Sequence, residues 1–164
     1  MKKISLDSPI FIAGHNGMVG SSLVKLYLKN GYTNLITTER SDLDLTNQSQ
    51  VEAFFKKTKP SFVVICAAKV GGIKANSEFP ADFIYQNLMI QCNLIHSAYD
   101  NDVKELIFLG SSCIYPKFSD QPIREESLLQ GPLETTNEAY ALAKISGIKL
   151  CKFYSEQYGV DFRS

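Results

Sequence analysis

Residues 9–20 read PIFIAGHNGMVG, and how this stretch is read decides the fold. Its first half is a short apolar run, the pattern of a buried strand. The second half spaces Gly14, Gly17 and Gly20 as G-x-x-G-x-x-G, and from there Val19, Leu23, Leu26 and Tyr27 recur at helical spacing up to Gly31. A strand that turns into a helix through glycines has a physical purpose. The turn needs backbone angles that glycine tolerates, and the backbone must come close to a ligand. Helix N-terminal amides and the helix dipole then favour a negative group such as a pyrophosphate. Three glycines alone also fit a plain structural turn. Their place at the first strand–helix junction is the context that predicts dinucleotide binding.

The alternation continues outward from this junction. NLITTE (34–39) reads as a second strand, and LTNQSQVEAFFKKTKP (45–60) as a helix capped by Thr46 or Asn47 and ending before Pro60. SFVVICAA (61–68) is a continuous β-branched run, the mark of a strand buried on both faces. A long helix from about Pro80 to Asp100, the strand KELIFLG (104–110) and a second long helix, TNEAYALAKISGIKLCKFYSEQYG (136–159), follow. VDFRS (160–164) opens one more strand. Such alternation means a parallel α/β sheet with right-handed crossovers, here expected as a doubly wound sheet in the order 3-2-1-4-5. Residues 1–164 read as one dinucleotide-binding domain. Because the chain stops as a strand opens, the expectation is the N-terminal part of a longer protein whose substrate domain lies beyond Ser164.

Composition narrows the function classes. Lys plus Arg equals Asp plus Glu at 17 each, so charge alone invites neither nucleic acid nor an anionic membrane. The apolar runs fall short of the roughly 20 residues that a bilayer needs. The start, MKKISLDSPIFIAG, reads as a first strand and not as a signal peptide. Four cysteines without a CxxC pair argue against zinc and a disulfide framework, and for a reducing cytoplasm. Cys66, Cys92 and Cys151 lie in apolar segments and read as buried, inert thiols.

Cys113 differs because of where it stands. LGSSCIYPK (109–117) ends an apolar run in Gly110, Ser111, Ser112 and Cys113, so a buried strand delivers two hydroxyls and a thiol to its tip. Ligands in open α/β sheets bind outside the carboxyl ends of strands. Either Ser111 or Ser112 is placed to hold a substrate oxygen. YALAK sets Tyr140 and Lys144 four residues apart, on one face of a helix. A phenol has a pKa near ~10, and a neighbouring cation favours its ionised form. The pair is common by chance, and a core tyrosine with a solvated lysine is the plain alternative. In company with the glycine loop and the strand-end serine it makes a Ser-Tyr-Lys proton relay beside a hydride-carrying cofactor.

The adenosine end is ambiguous. In TTERSDLDLT (37–46) Glu39 suits the ribose hydroxyls of NAD, whereas Arg40 suits the extra phosphate of NADP. Asp44 and Leu45 are placed to meet the adenine, although a solvated Asp capping the next helix is the competing reading. His15, inside the glycine loop, reads equally as exposed filler.

Together the glycine loop, AAKVGGI, PADFIYQN, LGSSCIYP and NEAYALAKISGIKLC resemble the extended short-chain dehydrogenase/reductases, over practically the whole chain from about Ile10. Within that family the Ser-Ser-Cys triplet is similar to the branch that turns GDP-4-keto-6-deoxymannose into GDP-L-fucose. The resemblance implies a Rossmann fold and NADP(H) as cofactor. It further implies epimerisation of the sugar at C3 and C5, followed by hydride delivery to C4. By it, Ser111 orients the ketone, Tyr140 donates a proton, Lys144 holds the ribose and lowers the phenol pKa, and Cys113 moves the protons of epimerisation. Residues Gly14, His15, Asn16, Gly17, Met18, Val19 and Gly20 contact the cofactor phosphates. Leu109, Gly110, Ser111 and Ser112 run beneath the nicotinamide, and Arg40 takes the 2′-phosphate. Asn16 departs from the arginine that some members carry there. Neither His15 nor His96 matches the family's partner acid, which is expected beyond Ser164, so the isolated segment is expected to be inactive. The two long helices, apolar nearly all round in FIYQNLMIQCNLIHSAY (83–99), correspond to the four-helix contact of a homodimer. Another nucleotide-sugar epimerase or dehydratase shares the loop and the Tyr-Lys pair, although a dehydratase wants acids where Ser112 and Cys113 stand. A non-catalytic dinucleotide-binding protein is the remaining alternative.

Overall fold

The computed structural model describes residues 4–164. Met1, Lys2 and Lys3, the head of the stretch read above as no signal peptide, lie outside the described residues. Five strands form one parallel sheet: β1 (Ile10–Ala13), β2 (Leu35–Ile36), β3 (Phe62–Ile65), β4 (Glu105–Phe108) and β5 (Asp161–Arg163). Five helices connect them: α1 (Met18–Lys29), α2 (Gln48–Thr58), α3 (Ile73–Glu78), α4 (Pro80–Asp100) and α5 (Glu138–Tyr158). The sheet is doubly wound. Leu23, Val24 and Tyr27 of α1 pack on Ile10, Ile12, Phe62 and Val64 from one side. On the other side α2, α4 and α5 bury Phe55, Leu94, Ile95 and Cys151 against Phe11, Val63, Leu106 and Phe108.

Local chemistry sets the element ends. Asn47, one of the two expected caps, accepts the backbone N–H of Gln50 through its side chain. Gly31 and Gly159, just past α1 and α5, take left-handed backbone angles with φ of +84° and +69°.

Three expectations need correction. The strand order is β2-β1-β3-β4-β5 and not 3-2-1-4-5. The third strand, β3, is buried along its whole length, whereas β2 is two half-buried residues, so β3 takes the interior place beside β1 and β2 is left at the edge. The Asp44 N–H goes to the Gln50 side chain, and the Thr46 N–H goes to the Asp44 carboxylate. From this loop the chain passes through α2 to β3, which pairs with β1. Second, α4 is not apolar all round, because Asn87, Gln91, Asn93 and Ser97 are buried in it. Third, Cys92 is exposed and Cys66 only half-buried, so of the three thiols read as core Cys151 alone is fully buried. Burial pushes the Cys151 thiol up to about 12.

The buried amides of α4 are struts. Asn87 accepts the Lys69 N–H and donates to the Lys69 carbonyl, which braces the segment after β3. Gln91 donates to the Ala143 carbonyl of α5 over 2.7 Å, and Asn93 donates to the Leu45 carbonyl. A buried amide must be paired to be tolerated, so these bonds fix α4 against both loops and α5. The α4–α5 contact closes at Gly147. A Cβ there would come within 2.5 Å of the Phe108 ring and 2.8 Å of the Gln91 Oε1. Among the described residues no helix is long and apolar enough to cross a membrane.

Replacing Gly147 with Ala is therefore expected to destabilise the fold by about 1–3 kcal/mol, the usual cost of overpacking a core. Urea unfolding followed by circular dichroism measures this, and an unchanged midpoint would refute the close approach.

Candidate functional site

A cleft of about 480 Å³ opens at the carboxyl ends of β1, β2 and β3. Its wall contains every sequence-predicted residue from Gly14 to Gly20, together with Arg40, Asp44, Leu45 and Leu109. The three glycines of the loop do different work. Gly14 has φ +83°, and a Cβ there would lie 2.6 Å from the Ala67 N. At Gly20 a Cβ would lie 2.2 Å from the Gly14 oxygen. Both positions are required for β1, β3 and α1 to approach one another. Gly17 is different, since a Cβ there would meet nothing closer than 3.4 Å. Its side of the turn is open to the cleft, and it caps α1 without any side-chain hydrogen bond. The first turn of α1 also contains no acid to occupy its amides. The open cradle and free amides fit a pyrophosphate.

At the adenosine end the Asp44 carboxylate accepts both the N–H and the hydroxyl of Thr46, and these bonds hold it below its usual range. Asp44 thus closes a local turn while also lining the cleft. Glu39 is tied to the glycine loop, with the Asn16 amide donating to both of its oxygens.

The second group of residues gathers at the end of β4. Ser111 ends the strand extension and caps the short 3-10 turn Ser112–Ile114. Its oxygen accepts the Cys113 thiol proton over 3.1 Å. Ser112 is exposed, whereas Ser111 lies against the Tyr140 phenol and favours its ionised form. The structure thereby distinguishes the two serines that adjacency alone left open. Lys144 is only 3% exposed, and its ammonium donates to the Leu109 carbonyl over 2.8 Å. It also lies 4.6 Å from the centre of the Phe108 ring and 5.8 Å from that of Tyr140.

The electrostatics of this group differ from the sequence expectation. Burial raises the Tyr140 phenol, the nearby Cys113 thiol raises it further, and only Ser111 pulls it back. Lys144 is not among the groups that shift it, because burial lowers the lysine itself from 10.5 to about 8. Tyr140 is consequently a protonated phenol at neutral pH, which can give a proton away.

Sequence reasoning assigned no site role to Ala67, Ala68, Lys69 and Val70, which line the cleft after β3, or to Cys66 at its floor. The signal was present. SFVVICAA carries a strand buried along its whole length, and the small residues at its carboxyl end stand where ligands bind in open sheets. His15 also lines the cleft, with its Nε2 3.4 Å from Glu39. His96 lies elsewhere, bonded to Tyr154 and close to Asp100.

A doubly wound parallel sheet with this glycine loop, and with hydroxyl, thiol, phenol and ammonium groups gathered at a strand end, has a Rossmann-like α/β fold. Comparison with known proteins makes the assignment specific: residues 10–164 match the model of the NAD dependent epimerase/dehydratase family, and the chain belongs to that family. Similar curated proteins include a putative GDP-L-fucose synthase 2 of Arabidopsis thaliana, 60% identical over 155 residues. The GDP-L-fucose synthase of Escherichia coli K12 is 55% identical, and the match covers 94% of this chain and 48% of that protein. Among solved structures, a GDP-D-glycero-L-gluco-heptose synthase from Campylobacter jejuni, determined in the presence of NADPH, is 44% identical. It superimposes with a TM-score of 0.94 over 96% of this chain and 46% of its own. A GDP-L-fucose synthetase from Naegleria fowleri bound to NADP has 30% identity and a TM-score of 0.85, covering 93% of this chain and 49% of that one. The chain spans about half the length of the curated relatives it matches.

Two outcomes follow from this geometry. Gly17→Ala should fold like the parent, because a Cβ there meets no neighbour under 3.4 Å. It should nonetheless weaken dinucleotide binding at least about tenfold by filling the cradle, as titration calorimetry would show. Lys144 gives a pH test. With its folded pKa near 8 against an ordinary 10.5, the unfolded chain binds more protons across that interval. Its contribution to stability therefore rises as pH climbs from about 8 towards 10.5. Relative to Lys144→Met, the wild type should gain of order 1–3 kcal/mol across this window, and parallel unfolding curves for the two proteins would overturn the assignment.

Proposed function

We propose that this chain is the cofactor-binding and proton-transfer part of an enzyme that makes GDP-L-fucose. That enzyme epimerises GDP-4-keto-6-deoxy-D-mannose at C3 and C5 and reduces it at C4 with NADPH. The observation that carries this reading is the convergence of Ser111, Cys113, Tyr140 and Lys144 at the end of β4, beside a cleft built for a dinucleotide. Relatives named GDP-L-fucose synthase, and similar structures solved with NADPH or NADP, support the substrate and cofactor.

The chain's own residues supply the following chemistry. Bound NADPH would provide the hydride for C4. The glycine loop and the first turn of α1 would hold its pyrophosphate, and Arg40 its 2′-phosphate. The Lys144 ammonium spends one N–H on the Leu109 carbonyl, and its remaining N–H groups are available to the nicotinamide ribose. Ser111 would turn its single hydroxyl hydrogen bond from the Tyr140 phenol to the C4 ketone oxygen and so polarise it. That polarisation acidifies the neighbouring C–H bonds at C3 and C5. Once its thiol proton has passed to solvent, the Cys113 thiolate, its sulfur 3.1 Å from the Ser111 oxygen, takes a proton from such a carbon, becomes a thiol again, and leaves the electron pair as an enolate on the C4 oxygen. Reprotonation from the opposite face restores the ketone with the centre inverted. Tyr140, a phenol that its buried site keeps protonated at neutral pH, then gives its proton to the C4 oxygen as that carbon is reduced. The acid for the opposite face is neither His15, which is engaged with Glu39, nor His96, which is bonded to Tyr154.

Residues 1–164 are then the dinucleotide domain of a longer enzyme, with the GDP-sugar held mainly by a further domain. Relatives about twice as long support this. A homodimer through α4 and α5 is part of the same reading. It is supported by the exposed Tyr85 of α4 and the exposed Leu142 and Phe153 of α5. The cytoplasm is the compartment that suits four unpaired thiols.

The full-length protein should oxidise NADPH with GDP-4-keto-6-deoxymannose. Tyr140→Phe should cut reduction by about 10²- to 10⁴-fold, while deuterium exchange from solvent at C3 and C5 persists. Cys113→Ser should do the reverse, slowing exchange first. Mass spectrometry of the sugar separates the two steps, and equal loss of both in the cysteine variant would refute its separate role.

A further inference from the structure

The adenosine end of the cleft presents two opposite charges side by side, Glu39 and Arg40. The glycine loop holds one of them. A single Asn16 amide nitrogen donates to both Glu39 oxygens, over 2.9 and 2.8 Å, and the His15 Nε2 is 3.4 Å from the same carboxylate. Glu39 is thus held by Asn16, 23 positions earlier, and faces His15, although its side chain is 58% exposed. Arg40 lines the same cleft and makes no ion pair among the described residues.

Two consequences follow for a ligand whose ribose 2′ position lies between these charges. The Asn16 donor is spent on Glu39 and does not serve a phosphate. The fixed carboxylate also repels the two negative charges of a 2′-phosphate that Arg40 attracts, whereas it accepts a hydrogen bond from a 2′-hydroxyl. We propose that Glu39, held by Asn16 and faced by His15, is a specificity-determining residue that draws the affinities for NADPH and NADH together, so that the site takes both. This rests on reading the cleft as an NADPH site. In a solvated cleft, repulsion between a carboxylate and a phosphate a few ångströms apart lowers affinity by about tenfold.

The test is titration calorimetry of the full-length protein with NADPH and with NADH, without sugar substrate. The wild type should bind both, with dissociation constants within about tenfold of one another. Glu39→Gln keeps the side chain's size but removes the charge, and it should raise the NADPH preference by about tenfold. Glu39→Thr should move the ratio in the same direction. Arg40→Ser should weaken NADPH and leave NADH unchanged. The proposal is overturned if both Glu39 variants keep the wild-type ratio. It is equally overturned if the wild type fails to bind NADH at about a hundredfold the NADPH dissociation constant. Were the folded protein to bind neither cofactor, the reading of the cleft would fall as well, which sets that result apart from an unchanged ratio.

Discussion

The bond from the Lys144 ammonium to the Leu109 carbonyl holds the reactive group together. A lysine this deeply buried is costly, and its lowered pKa expresses that cost. The charge is tolerated because the bond and the Phe108 ring beneath it replace part of the lost hydration. Both partners belong to β4 or its end, so the lysine can be buried only if α5 packs close against that strand. The close packing is possible because residue 147 has no Cβ. Tyr140, one turn earlier on the same helix, is then delivered to Ser111 at the tip of the same strand. One missing methyl group, one buried cation and one strand-end hydroxyl are therefore parts of a single arrangement.

The cleft depends on a comparable economy. Gly14 and Gly20 let the loop after β1 press on the segment after β3 and on the start of α1. Asn87 of α4 holds that same post-β3 segment by both its backbone groups, and Asn93 holds the loop that carries Leu45. Gln91 lies between them in sequence and reaches α5. Three amides on one helix therefore set the spacing among the cofactor wall, the adenine end and the helix bearing Tyr140 and Lys144. Polar side chains inside a helix core are expensive unless each is satisfied, and here each is bonded to the backbone of a different segment.

Much of this was legible in the amino-acid order, for definable reasons. The glycine loop, α4 and α5 were readable because a run of helical periodicity ends in punctuation that chemistry enforces: Pro80 opens α4 and Gly159 closes α5. The position of Ser111 followed from the rule that parallel strands deliver ligand contacts at their carboxyl ends. What escaped depended on contacts between distant segments. α3 has only six residues, too few to show a period. The sheet order turned on whether the third strand packs beside β1 or outside β2, a pairing between segments far apart in the chain, and the fully buried β3 takes the interior place. The buried amides of α4 were hidden because their partners, Lys69, Ala143 and Leu45, come from three other parts of the chain.

The same distinction governs the phenol. On sequence spacing alone, a lysine four positions after a tyrosine implies a cation that ionises it. Packing reverses the balance. Burial disfavours charge on both groups, so the lysine loses part of its hold on its proton and the tyrosine keeps its own. A base awaiting an alcohol would need the opposite bias. A phenol that keeps its proton at neutral pH is the form able to give one to an oxygen gaining negative charge, the situation at a ketone that receives hydride, where the forming alkoxide is the stronger base. The Ser111 hydroxyl, which touches both Tyr140 and the Cys113 thiol, joins this donor to the sulfur. On the reading proposed above, two proton-transfer groups thereby share one contact at a single oxygen, the arrangement needed when the same ketone must first be enolised and then reduced.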